Sequence, residues 1–240
     1  MRIETNERLV NRNKKFAQYL FFGSLGLLVL SLFLTNAQTV TSAEEASTAL
    51  LLPAIILPIA FIATLISVRM TNLWIRPPRP ETQIQEGIKG AAHNTVLYNY
   101  YHFPARHVII APQGVFAIVT RFQDGLYEVD GEKWTTKKNI ISRILSIFRF
   151  DHVGNPTNDA RKAAAHLQTL VDQIDPEVKV QPLIIFTDPR ASVTVNNSPI
   201  PVVHANPKQT PALKDFLKKA GHQKTLTKDQ IQAFEDLTLK

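Results

Sequence analysis

The chain has 240 residues, with 27 Lys plus Arg against 20 Asp plus Glu, a formal charge of +7 and no cysteine. The missing cysteine excludes disulfides, thiolate metal sites and a Cys nucleophile. Through Pro80 there are eight basic against four acidic residues, and from Glu81 onward nineteen against sixteen, so the positive charge is spread and not the concentrated footprint of a nucleic-acid binder. Part of it is topology signal and attraction to anionic lipid.

Phe16 to Thr35 is uncharged and almost wholly apolar, and Ala49 to Val68 repeats the pattern. At ~1.5 Å rise per residue each run spans the ~30 Å hydrocarbon layer. Pro53 and Pro58 interrupt the second run, which membranes tolerate because neighbouring groups re-satisfy the freed backbone. The first run exceeds the ~7 to 15 residues of a signal-peptide core, so it reads as a retained span.

Arg2, Arg8, Arg12, Lys14 and Lys15 precede the first span, and Arg69, Arg76 and Arg79 follow the second. The intervening loop carries Glu44 and Glu45 and no basic residue. The positive-inside rule therefore predicts a multi-pass inner-membrane protein with both termini cytoplasmic. The expected order is a cytoplasmic segment 1–15, spans 16–35 and 49–68 around an external loop 36–48, a juxtamembrane linker 69–83 and a cytoplasmic domain 84–240. The first 68 residues thus predict a transmembrane helical hairpin.

Ile75 to Gln83 is proline-rich and charged, and reads as an extended, stiff linker. Thr82 to Tyr100 reads as a helix, with Ile84, Ile88, Ala91, Thr95 and Tyr98 at three-to-four spacing; Gly87 and Gly90 mark a side where a neighbour approaches closely. His107–Ala111 and Val115–Arg121 form β-rich runs around the turn Pro112-Gln113-Gly114, and Asp124-Gly125 and Asp130-Gly131 extend them into a meander. Lys133 to Phe150 mixes Lys137, Lys138, Arg143 and Arg149 with apolar residues; such a helix either packs on its own sheet or lies on a bilayer.

Asn158 to Ile174 is an amphipathic helix, Val178 to Thr187 a strand, and Ser192–Val195 and Val202–His204 weaker strands. Helices at Thr210–Ala220 and Thr227–Leu239 close the chain, with Thr227 and Gln230 at capping-box spacing. The fold class is α/β, a mixed sheet flanked by helices. The seven histidines lack ligand spacing, and no Walker loop or Gly-x-Ser-x-Gly elbow occurs, so neither catalytic residues, a metal nor another cofactor is assigned.

Several motifs carry a resemblance. The expected helix holds Gly87-Ile88-Lys89-Gly90-Ala91, a strand opens Arg106-His107-Val108, a turn reads Pro112-Gln113-Gly114-Val115-Phe116, and the next strand holds Val119-Thr120-Arg121 before Gly125. Asn155-Pro156-Thr157-Asn158-Asp159 precedes the second main helix. From Glu86 to Leu217 this order resembles the nuclease-related domain (NERD) family of the PD-(D/E)XK superfamily, which implies a restriction-endonuclease-like sheet. In that family Glu, Asp, Glu, Lys and Gln stand where this chain has Ala91, Arg106, Val119, Arg121 and Asp159.

The resemblance therefore implies a degenerate nuclease-like domain. Hard cations need anionic oxygens, and two guanidiniums repel them. Arg106 and Arg121 either bind a phosphate or carboxylate between them or are spent on ion pairs with Asp159 and Asp124. The expected function is a membrane-anchored, catalytically inactive protein whose partners are the lipid bilayer and an anionic ligand, nucleic acid or protein. The alternatives are an active nuclease with relocated residues, drawn from Asp124, Asp130 or Asp159 with Lys133, and a purely structural or protein-interaction module.

Overall fold

The structure is a computed structural model that describes residues 1–36, 43–91, 94–136 and 153–239. It divides into two units, one comprising Met1–Glu7 with most of the chain from Pro78 onward, the other containing Arg8–Pro77.

The second unit contains two long helices, α1 (Glu7–Asn36) and α2 (Ala43–Trp74), each long and apolar enough to cross a membrane, with 18-residue stretches of mean hydropathy 1.9 in α1 and 2.0 within Pro53–Trp74 of α2. Pro53 and Pro58 lie inside α2. Each helix buries one narrow stripe: Val10, Ala17, Ser24 and Ser31 on α1, and Pro53, Ala60, Ser67 and Trp74 on α2. Both stripes repeat every seven residues, the period of a left-handed helix pair, and most members are small enough for close approach. Elsewhere Tyr19, Phe22, Phe33 and Phe61 remain exposed.

The first unit begins with β1 (Arg2–Thr5) and resumes with α3 (Pro80–Ile88). Then come β2 (Val96–His102), β3 (Ala105–Ala111), β4 (Gly114–Arg121), β5 (Gly125–Asp130) and β6 (Lys133–Thr136). They are followed by α4 (Pro156–Val171), β7 (Val180–Phe186), β8 (Ala191–Asn197), β9 (Val202–His204), α5 (Leu213–Lys219) and α6 (Lys228–Thr238). A six-stranded mixed sheet runs β1-β2-β3-β4-β7-β9, antiparallel from β2 to β4 and parallel elsewhere; β6-β5-β8 form a smaller sheet.

Strand alternation separates two cores. Val108, Ile110, Val115, Ala117, Val119 and Phe186 meet α4, the small sheet and Phe234 of α6. On the opposite face Ile109, Phe116, Ile118 and Ile185 meet Ile84 and Ile88 of α3 and Leu213 and Leu217 of α5. The end of β7, from Leu183 to Phe186, is buried on both faces, as parallel central strands are.

Three sequence expectations require correction. The helix predicted to run from Thr82 to Tyr100 ends at Ile88, and Val96–His102 is a strand. The positive φ of Gly90 (+69°) and Asn94 (+56°) is incompatible with a continuous helix, and the Tyr-rich run that follows suits a sheet. Pro80–Gln83, expected to be extended, is helical, with Pro80 at the position where a missing N–H costs nothing. The meander is two units, because β5 and β6 leave the main sheet and β5 pairs in parallel with β8. The β3–β4 hairpin and the capping box of Thr227 and Gln230 are as expected. The basic run from Lys137 to Phe150 lies outside the described residues, as do residues 37–42 of the predicted loop between the apolar runs, whereas residues 43–48 of that loop are the first turns of α2.

Candidate functional site

At the end of the sheet where β4 and β7 finish, Arg121 pairs in register with Phe186. Arg121 follows Val115, Ala117 and Val119 on the α4 face, so its guanidinium reaches the start of α4. There it donates from Nε to the Val153 carbonyl at 2.9 Å, from Nη1 to the Thr120 carbonyl at 3.2 Å and from Nη2 to Asp159 Oδ2 at 2.5 Å. Burial pushes the Arg121 guanidinium down from its ordinary range, and the hydrogen bond and charge of Asp159 act in the opposite sense. The Arg121 side chain is 13% exposed and that of Asp159 51%, so the pair has one buried and one solvated partner.

Asp159 is delivered by the cap of α4. The Asn155 side chain accepts from the Asn158 N–H at 3.0 Å, and Pro156 occupies the first turn. Asp159, in that same turn, faces the positive end of the helix dipole. Trp134 of β6 donates from Nε1 to Thr157 Oγ1 at 2.8 Å, which ties the small sheet to this cap.

Arg106 lies on β3 and shares the α4 face with Val108 and Ile110. Its neighbour His107 pairs with Ile118, so Arg106 lies across from Val119 and diagonal to Arg121. Val119, Arg121 and Asp159 therefore gather at one end of one sheet face, and Arg106 lies on the adjacent strand just beyond the His107–Ile118 pair. Ala91 does not join them: it follows α3 in a turn and packs against the other core.

Asp124, considered as a relocated catalytic carboxylate, lies 3.4 Å from Arg190. Lys133 and Asp130 face each other as the terminal pair of the β5–β6 ladder. The gathered residues do not fit a divalent metal: they offer two guanidiniums, a valine and one carboxylate already bonded to Arg121.

A second polar cluster, on the opposite face, was not evident from sequence. His107 is fully buried, and its Nδ1 lies 2.8 Å from Asn99 Oδ1, while Asn99 Nδ2 donates to Thr5 Oγ1 at 3.0 Å. Beside it, Tyr100 donates to Glu81 Oε2 at 2.8 Å and packs its ring on His107 at 4.9 Å; Glu81 also pairs with Arg79. Burial first, then Arg106 and Arg79, holds the His107 imidazole down at about 3, so it is neutral. The histidine of the Arg106-His107 motif could have flagged this cluster; the contribution of Thr5, 94 residues before Asn99, had no local signal.

These observations define a mixed α/β domain, preceded by two long apolar helices, with charged side chains gathered at one end of its central strands. Residues 80–187, from the start of α3 to just beyond β7, match the family model of the nuclease-related domain, NERD. The match covers a little under half of the chain and includes every residue gathered above. Neither curated proteins nor solved structures yield a significant match.

Proposed function

We propose that this is a membrane-anchored, catalytically silent nuclease-related protein that recognises an anion at the Arg106 end of its sheet. One observation carries the reading. Where the resemblance implies a cation held by carboxylates, this chain has Arg106, Val119 and Arg121, and Asp159 is paired with Arg121. A guanidinium pair favours phosphate or carboxylate over metal. The partner class is a nucleic acid, another phosphate ligand or an acidic protein segment.

Membrane anchoring rests on α1 and α2, whose large apolar residues are solvent-facing. The pairing of β1 with β2 supports an even number of crossings, because the residues before α1 and those after α2 fold into one sheet. Together with the basic flanks of both spans, this supports a multi-pass inner-membrane protein with both termini cytoplasmic.

The test compares the full chain with Arg106→Ala for binding of oligonucleotides and nucleotides across a salt series, alongside cleavage assays in Mg²⁺ and Mn²⁺. Salt-sensitive binding that falls in the variant, without cleavage, is expected. Equal binding by both proteins overturns the anion site. Metal-dependent cleavage abolished by Asp159→Asn overturns catalytic silence.

A second reading, a structural or protein-interaction module with no anion site, is favoured by one feature. Arg121 already donates to Val153, Thr120 and Asp159. Under that reading neither arginine affects ligand binding, and only stability responds.

A further inference from the structure

The residue opposite Arg106 is not one residue but two. In the β2–β3 ladder Asn99 pairs with His107 and His102 with Ala105, so Tyr100 and Tyr101 together face Arg106 alone. This is a β-bulge, and Tyr100 adopts a left-handed φ of +67°, uncommon for an aromatic residue. A bulge bends its strand and increases the local twist against the partner residue it faces, and a strained residue persists only where its surroundings over-determine it.

What over-determines Tyr100 comes from both ends of the apolar helix pair. From the N-terminal side, the Asn6 N–H donates to the Asn99 carbonyl at 3.1 Å, Asn6 Nδ2 lies 3.5 Å from the Tyr100 carbonyl, and Tyr101 Oη donates to the Thr5 carbonyl at 3.3 Å. These residues immediately precede α1, which starts at Glu7. From the other side, Glu81 accepts from Tyr100, and α3 begins at Pro80, shortly after α2 ends at Trp74. Both tethers thus converge on the three residues Asn99–Tyr101.

We propose that Tyr100 is a positioning residue: its bulge is a junction through which the two tethers set the placement of Arg106. Docking of β1 and the Tyr100–Glu81 bond hold the bulge in one conformation, and loss of either loosens it and with it the placement of Arg106. The role given to Arg106 rests on the anion-binding reading above; the junction itself does not.

The test uses the full chain in lipid nanodiscs and follows amide hydrogen exchange in Thr5→Val, which loses the bond to Asn99, and in Tyr100→Phe, which loses the bond to Glu81. Each is expected to raise exchange about tenfold in both β1 and the first half of β3, the signature of one cooperative unit, with α4 unchanged. Exchange that rises only beside each substitution, leaving β3 as in the parent, overturns the junction. Glu81→Gln repeats the test if Tyr100→Phe loses protection in α4. Coupled exchange together with oligonucleotide binding that Arg106→Ala leaves unaltered removes the anion reading and leaves the junction standing.

Discussion

Arg121 and Asp159 join the end of β4 to the first turn of α4 through a 2.5 Å contact, one partner buried and the other half-exposed. Because Asp159 is solvated, the ion pair alone contributes little. Asp159→Asn is expected to cost about 0.5 to 1 kcal/mol. Arg121→Ala also strips the donor from the Val153 carbonyl and opens the packing at the start of α4, so a loss of about 2 to 3 kcal/mol is expected. Chemical denaturation of both variants checks the order; equal losses would show that the pair, not the backbone contact, dominates.

Gly87 packs where no side chain fits. A Cβ there would lie 2.6 Å from the Ala205 carbonyl oxygen, a backbone atom that cannot simply rotate away. Gly87→Ala should therefore destabilise by about 1 to 3 kcal/mol through overpacking of α3 against the end of β9, despite the higher helix propensity of Ala. Gly90→Ala meets no close atom but is strained by the φ of +69°, and its expected cost is about 1 kcal/mol. Thermal midpoints that rise in either variant would contradict this account.

These two glycines also mark how far the sequence could be read. The close-approach role was legible and holds for Gly87, whereas Gly90 serves a left-handed turn, and the apolar spacing of Ile84, Ile88, Ala91, Thr95 and Tyr98 mimicked one helix across a helix, a turn and a strand. Only the left-handed residues at Gly90 and Asn94 break it. The β3–β4 hairpin was legible because its turn and both strands are local. Strand β1 was not: RIET has no apolar alternation, and its partner, β2, lies more than 90 residues away. At the candidate site, Asp159 was reached through the resemblance of Asn155–Asp159 to the family motif, whereas the Val153 carbonyl is a backbone acceptor with no residue signature.

The N-terminal strand is locked to the last helix. Arg2 pairs with Glu235, and Tyr98 donates to the same carboxylate at 2.5 Å, so three elements meet at one group. Burial, with the Glu235 hydrogen bond and charge, pushes the Tyr98 phenol up and keeps it protonated. Glu235→Gln and Arg2→Ala are expected to be non-additive by about 1 kcal/mol in a double-mutant cycle. Strict additivity would mean that Arg2 does not depend on Glu235.

Two buried histidines give stability a pH dependence of defined sign. Burial lowers His102 to about 4 and His107 to about 3, from an ordinary value of 6.5. The unfolded chain therefore binds protons that the folded chain refuses. The contribution is fully present above pH 6.5 and is lost as pH falls toward the folded values. His102 stacks on Phe234 and bonds Thr238, so its loss loosens α6. Thermal unfolding between pH 8 and 5 should show a declining midpoint in the parent and a shallower decline in His102→Asn. An identical slope would assign the pH dependence to other groups.

Rebuilding the carboxylates is the most demanding test of the site. In the triple variant Arg106→Asp, Val119→Glu, Arg121→Lys, two anionic groups replace one cation and one apolar residue on neighbouring strands, and Asp159 is released from its guanidinium. Val119 is only 9% exposed, so the carboxylate introduced at that position is desolvated and repels its neighbours when no cation is present. The metal-free variant should therefore be less stable than the parent. A ligand that binds only the folded state restores stability by mass action, so Mn²⁺ should raise the unfolding midpoint of the variant and leave that of the parent unchanged. Calorimetric titration supplies the second readout, with binding expected in the variant alone. A variant that folds but takes up no Mn²⁺ would mean that the end of this sheet lacks the geometry of a metal site, whatever residues stand there.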